Sequence, residues 1–212
     1  MTASVQQKLN QSFMKLQKLT IRNIASIEQA EIDFENGPLG QDAIFLICGP
    51  TGAGKSTILD AICLALYNTT PRLVQSANER FYDSDFSGQS DDIGISDPRI
   101  LMRRDSTLAS VALEFADSDG HELVAEWSVA RARGNRNGRI QRISWTLSEK
   151  DGTQITARAT DTRQEIERRI GLSFEQFCRT TLLAQGEFTK FLKSKEEDKS
   201  NILEKLTGTE IY

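Results

Sequence analysis

The stretch Ala43-Ile-Phe-Leu-Ile-Cys48-Gly49-Pro50-Thr51-Gly52-Ala53-Gly54-Lys55-Ser56-Thr57 decides the fold. Residues 43–48 form an apolar run with no polar interruption, the pattern of a buried strand. Gly49 to Ser56 fits G-x-x-x-x-G-K-[ST], the phosphate-binding P-loop, and residues 56–67 continue as a helix that starts at the loop. Glycine is required there because the backbone must curl around phosphate with its N–H groups pointing inward and no Cβ in the way. The helix N-terminus adds the positive end of its dipole. Lys55 is placed to reach the β- and γ-phosphates and the Ser56 hydroxyl to hold Mg²⁺. Pro50, Thr51, Gly52, Ala53, Gly54, Lys55, Ser56 and Thr57 are therefore the expected nucleoside-triphosphate contacts.

Outward from the loop, the chain divides into three textures. On its N-terminal side, residues 1–14 are polar and unpatterned, expected to be a disordered extension. Lys15 to Asn23 and Ala30-Ile32-Phe34 then alternate as two antiparallel strands about a turn near Ala25-Ser26. Helix 56–67 is apolar almost all round (Ile58, Leu59, Ile62, Leu64, Leu66), so it is expected to be buried against the sheet. Residues 68–99 are rich in Ser, Asp, Asn and Gln and lack periodicity, the texture of a mobile or functional segment. Ser87-Gly88-Gln89 within it lacks the second glycine and apolar helix of an ATPase signature motif.

From Leu108 the period switches to two. Ala109-Val111-Leu113-Phe115, Leu123-Ala125-Trp127-Val129 and Ile143-Trp145-Leu147 alternate, separated by turn residues at 117–120, 134–138 and 150–152. This predicts an antiparallel meander of three or four strands over 108–157, with no helix between strands. Residues 160–207 turn helical. Capping boxes are expected at Thr162…Glu165, Ser173…Gln176 and Ser194…Glu197, and helix stops at Gly171 and Gly208. The fold class is thus α/β, a P-loop lobe with a mixed sheet around the loop helix, an antiparallel β subdomain and C-terminal helices.

Composition narrows the class further. The chain has 212 residues, 26% of them charged, and a net charge of −4, which gives no support to wholesale nucleic-acid binding but leaves room for local basic patches. One such patch is evident: Arg131, Arg133, Arg136, Arg139 and Arg142 lie within twelve residues holding no acid. Alternating strand positions would set several on one face, a ribbon suited to DNA phosphates. Lys190, Lys193 and Lys195 are a second basic group. Cys48, Cys63 and Cys178 are odd in number and widely spaced, with no zinc pattern, and are expected to be buried reduced thiols. No run is long enough to span a membrane, and a cytoplasmic location is expected.

Hydrolysis needs an acidic partner after four aliphatics to complete the metal shell. Val111-Ala-Leu-Glu114 comes closest but alternates like a half-exposed strand. Asp60 lies within the loop helix, pointing away from the loop, and Asp105 follows two arginines. Two readings stay open on the residues alone: a site completed by residues outside these 212, or a free-standing P-loop kinase with an unusual metal shell whose lid arginines come from 131–142.

Several segments together resemble one family. Leu19-Thr-Ile-Arg-Asn-Ile24, the loop itself, Leu59-Asp-Ala-Ile-Cys-Leu-Ala-Leu-Tyr-Asn-Thr-Thr-Pro-Arg72, Leu182-Leu-Ala-Gln-Gly-Glu-Phe188 and the ending Leu203-Glu-Lys-Leu-Thr-Gly-Thr-Glu-Ile-Tyr212 are similar to the SbcC family of SMC- and ABC-type ATPases, over about residues 15–212. The resemblance implies the N-terminal lobe of a split ATPase head that leads into a coiled coil and uses ATP and Mg²⁺. The signature motif, the acidic metal residues and the switch histidine would come from a C-terminal lobe of the same protein. It implies a second head as dimer partner, the nuclease SbcD, double-stranded DNA as substrate and a nucleoid-associated location. It assigns Gln185 to the Q-loop, as the catalytic and metal-contacting glutamine, and brings Arg22 and Asn23 to the nucleotide. His121, the sole histidine, falls in the meander and is not the switch residue. A glutamine suits the Q-loop role on physical grounds too, since it orients water without cancelling the metal's charge.

Overall fold

The computed structural model describes residues 14–36, 47–78 and 93–180. The expected strand at 43–48 (apart from its last two residues), Gln185, Lys190 to Lys195, the cap at Ser194 and the stop at Gly208 lie outside the described residues.

Period-two segments become strands, as their alternation dictates. Strands β1 (Lys15–Ile24) and β2 (Ile27–Asp33) form a hairpin, and β3 (Leu108–Ala116), β4 (Glu122–Ala130), β5 (Ser144–Glu149) and β6 (Gln154–Thr156) form the meander. The two are one sheet, in the order β2-β1-β3-β4-β5-β6. Among the described residues every strand pairing is antiparallel. The meander is thus joined, among the described residues, to the N-terminal hairpin in one antiparallel sheet. It continues the N-terminal hairpin through the β1–β3 pairing, a contact across some 90 residues of chain that local patterning does not encode.

One face of this sheet is a continuous apolar surface. Cross-strand pairing lines up Ala30, Ile21, Val111, Trp127 and Trp145 in one row, and Ile32, Leu19, Leu113, Ala125 and Leu147 in the next. Helix α1 (Lys55–Tyr67) lies on that face and packs on β1, β3 and β4. Its residues Ala61 through Tyr67 are all buried, which is why it lacks an amphipathic stripe. Each Leu- or Ile-sized side chain so buried contributes about 1.5–3 kcal/mol.

Helix α2 (Pro71–Asn78) falls in the segment without sequence periodicity. Proline at its first position is pre-set for helix and needs no donor. Thr70 Oγ1 accepts from the Leu73 amide at 3.4 Å, and Leu73 is buried. Residues 79–92 of that segment lie outside the described residues.

Helix α3 (Ala159–Ile170) ends at Gly171, which adopts a left-handed conformation (φ 73°), as a C-terminal stop requires. Its start differs from the expected Thr162 cap. The cap position falls four residues earlier, at Arg158, and Thr162 is a fully buried interior residue. Thr162 Oγ1 lies 2.7 Å from Thr156 Oγ1, 3.0 Å from the Arg158 carbonyl oxygen and 3.2 Å from that of Trp145. The hydroxyl thus serves a tertiary contact between α3, β5 and β6, which overrides the local capping pattern. Helix α4 (Phe174–Thr180) opens on the expected capping box. The Ser173 amide donates to Gln176 Oε1 at 2.9 Å, and the Gln176 amide to Ser173 Oγ at 3.3 Å.

Candidate nucleotide site

The phosphate loop stands at the exposed N-terminal end of α1. Gly52 (φ 85°) and Gly54 (φ 87°) hold left-handed conformations. At Gly54 the space for a side chain is tight as well: a Cβ there would lie 3.2 Å from Ile27 Cγ1 and 3.4 Å from Ser26 Oγ. Residues 48–53 are exposed. The first turn of α1 has neither a side-chain cap nor an acidic residue, so its amide donors and positive dipole end stay available to an anion. Lys55 Nζ donates to the carbonyl oxygens of Gly49 and Pro50, each at 2.7 Å, which folds its ammonium over the loop. Ser56 is exposed and Thr57 buried. Open amides, a lysine over a glycine loop and a free serine hydroxyl fit a triphosphate with its Mg²⁺.

The turn between β1 and β2 braces this loop. Ser26 Oγ lies 3.2 Å from Thr57 Oγ1, and Ile27 sets the ceiling over Gly54. The turn is unusual, with two non-glycine residues at positive φ: Asn23 at 53° and Ala25 at 44°. Such conformations persist only where surrounding contacts over-determine them, and here they do. The Ala25 amide donates to the Leu101 carbonyl at 2.7 Å, the Arg103 amide to the Asn23 carbonyl at 2.9 Å, and Asn23 Nδ2 to the Leu108 carbonyl at 2.8 Å. Arg103 Nη1 donates to the Ser26 carbonyl at 3.1 Å and to that of Ala25 at 3.4 Å. The sequence marked the turn at Ala25-Ser26 but carried no signal that Ser26 and Ile27 would meet the loop or that Arg103 would hold the turn.

Other expected site residues are placed differently. Asn23 spends its side-chain amide on Leu108. Arg22 is exposed and pairs across the sheet with Gln29 and Ser110. It projects from the face opposite Ile21, hence opposite α1. Glu114 likewise projects from the face opposite α1 and lies 3.9 Å from Lys150. The buried Asp60 forms an ion pair with Arg72 of α2 at 2.7 Å. Burial raises its pKa, partly opposed by Arg72. Neither carboxylate is directed to the loop.

Residues 131–143 are not the regular ribbon expected from alternation. They make a short 3₁₀ turn at Ala132–Gly134 and one isolated bridge, Arg131 to Ile140. Arg131 is a strut: its Nε donates to the Ser106 carbonyl at 3.2 Å and its Nη1 to the Gly138 carbonyl at 3.0 Å. Arg133, Arg136, Arg139 and Arg142 are exposed on this loop. At the opposite end of the sheet, Asp117, Asp119 and His121 cluster within 4.8 Å. Arg169 Nη1 stands 3.2 Å from Asp117 Oδ2 and supplies the positive charge there. Of the thiols, Cys63 is buried and Cys178 half-buried, whereas Cys48 is exposed; it immediately precedes the open loop instead of ending in the core.

Comparison with known proteins decides the family. Residues 18–212 match the family model AAA_23, described as an AAA domain. The chain belongs to this AAA domain family. Its relatives include the SbcC subunit of nuclease SbcCD from Pseudomonas aeruginosa, 39% identical over 94% of this chain. The protein of the same name from Rhodobacter capsulatus is 38% identical over 94%. A DNA double-strand break repair Rad50 ATPase from Methanopyrus kandleri is 29% identical over 91%. The chain spans 16%, 16% and 18% of those relatives. The resemblance carried by the hairpin, loop and post-loop helix is thus borne out. Among solved structures, the recombination mediator RecF with ATP aligns at a TM-score of 0.41 and 18% identity, over 68% of this chain and 28% of that one. Among the described residues, no helix is long and apolar enough to cross a membrane.

Proposed function

We propose that this chain is the ATP-binding N-terminal lobe of an SbcC-like DNA-repair ATPase. The observation that carries it is the loop at α1, with its open amides, Gly54 packed beneath Ile27 and Lys55 folded across the carbonyls of Gly49 and Pro50, in a chain 39% identical to an SbcC subunit of nuclease SbcCD. Lys55 exchanges its two loop carbonyls for phosphate oxygens. The amides of Gly52, Gly54 and Thr57 would serve the same anion, and Ser56 Oγ would provide a ligand for Mg²⁺. When bound, Mg²⁺ neutralises charge between the phosphates and polarises them.

Hydrolysis needs groups beyond these. The two acids weighed from the sequence as metal partners, Asp60 and Glu114, pair instead with Arg72 and Lys150. Gln185, outside the described residues, is the proposed water-positioning group. The acidic metal partners and signature motif are proposed to come from the C-terminal lobe and from a second head. ATP then acts as a clamp, because contacts to its γ-phosphate exist only when two heads close, so closure is favoured only with ATP present. That closure would control the partner nuclease SbcD on double-stranded DNA in the cytoplasm. Arg133, Arg136, Arg139 and Arg142 are the proposed phosphate contacts, with Arg131 holding up their loop.

Equilibrium titration of the 212-residue chain with a fluorescent ATP analogue and Mg²⁺ tests the reading. Weak saturable binding, lost in Lys55→Ala, is expected. Equal binding by wild type and Lys55→Ala would overturn it, and phosphoryl transfer to a small acceptor by the chain alone would favour a P-loop kinase.

A further inference from the structure

We infer that Arg103 is a positioning residue for the phosphate loop, acting through the β1–β2 turn. This rests on the ATP-binding reading and adds a determinant far from the loop in sequence.

The inference follows the hydrogen bonds outward from the loop. Gly54 and Thr57 face Ile27 and Ser26, so the height of the turn sets how closely the last glycine of the loop can sit. That turn does not hold its shape unaided, since Asn23 and Ala25 both stand at positive φ, a conformation that persists only where surrounding contacts support it. Carbonyls turned outward by those conformations need donors. Arg103 supplies them: its main-chain amide serves Asn23, and one guanidinium nitrogen spans Ala25 and Ser26. Arg103 is in turn fixed from behind. Its carbonyl accepts from Ser106 Oγ at 2.7 Å, and the Ser106 carbonyl accepts from Arg131 Nε at 3.2 Å. A delocalised, permanently charged fork suits two neighbouring carbonyls at a half-buried position.

The consequence is specific. Removing the guanidinium frees the turn, and with it Ser26 and Ile27, while the sheet pairing and the apolar face under α1 keep their contacts. The phosphate loop then loses pre-organisation, and affinity for phosphates falls without loss of the fold.

The test uses the full-length protein and Mg²⁺-bound fluorescent ATP analogue. Arg103→Met keeps the stem and removes the donors. Its Kd is expected to rise about tenfold, the loss of one charge-assisted hydrogen-bond set, with the melting temperature of the nucleotide-free protein little changed. Arg103→Lys restores most of the affinity. Ser26→Ala weakens binding as well, and in Arg103→Met/Ser26→Ala the two losses fail to add, because both act through one turn. If Arg103→Met fails to fold, the exposed Ser26→Ala decides, with an unchanged Kd overturning the inference. Additive losses, or a lowered melting temperature with unchanged Kd, also overturn it. Wild-type binding alongside such results sinks the positioning role alone, whereas failure of the wild type to bind removes the ATP reading and this inference together.

Discussion

The two ends of α1 are built on opposite plans. At the N-terminal end the first turn has no cap, no acidic neighbour and an exposed glycine loop. The C-terminal end is saturated. Trp145 Nε1 donates to the Ala65 carbonyl at 2.7 Å, Arg163 Nη2 to that of Tyr67 at 3.4 Å, and Trp127 Nε1 to Asn68 Oδ1 at 2.7 Å. Tyr67 packs on Phe174 and Phe177 with ring centroids 5.6 and 5.3 Å away, and donates its hydroxyl to the Leu172 carbonyl at 3.1 Å. Burial holds that phenol protonated, its pKa far above the ordinary value. Both tryptophans of the chain are thus spent on one helix terminus. One end is anchored so that the other can leave its donors unused for a ligand.

That contrast can be broken first at the anchored end. Trp127→Ala should destabilise the chain by about 3–5 kcal/mol, a buried aromatic lost with its cavity unfilled, read as a lower midpoint in urea unfolding. At the open end the effects should invert. Lys55→Ala should weaken ATP binding about a hundredfold by loss of a charge-assisted contact, and leave the unfolding midpoint within error of wild type. A large stability loss from Lys55→Ala would mean that the open end also carries the fold.

A smaller effect belongs to the far edge of the sheet, where charges are neutralised within the protein. Hydrogen bonding from Arg168, opposed by burial and helped by Arg169, holds Glu165 down at about 2 from 4.5. A depressed folded-state pKa means that this stabilisation is complete above 4.5 and is lost as pH falls towards 2. Glu165→Gln should therefore flatten the fall in melting temperature between pH 4.5 and 2, with little change in the slope above pH 5. The smallest perturbation compares two thiols flanking the loop and the core: Cys48 should react with maleimide in the native state and more slowly with ATP bound, whereas Cys63 should react only on unfolding.

What was legible in the sequence follows the same division. The loop, its helix, the meander strands, the Gly171 stop and the Ser173–Gln176 box are local patterns, and each is found where its residues place it. The joining of hairpin and meander into one sheet is a long-range pairing, and the sequence reading kept them apart. Thr162 looked like a cap because the pattern is blind to the Trp145 carbonyl beside it. Arg131 looked like a phosphate ligand because a charge run does not reveal which member turns inward. Ser26 and Arg103, 77 residues apart, bear on the loop only through the folded turn, and nothing in either segment announces the other.

We propose that these residues build the phosphate-holding half of a nucleotide site and depend on further parts for turnover. Steady-state release of inorganic phosphate from Mg²⁺-ATP, measured for the 212-residue chain beside the full-length protein, tests it most directly. The account predicts turnover by the full-length protein, abolished by Lys55→Ala, and none above background by the chain alone. Multiple turnovers by the isolated chain, dependent on Lys55, would contradict it.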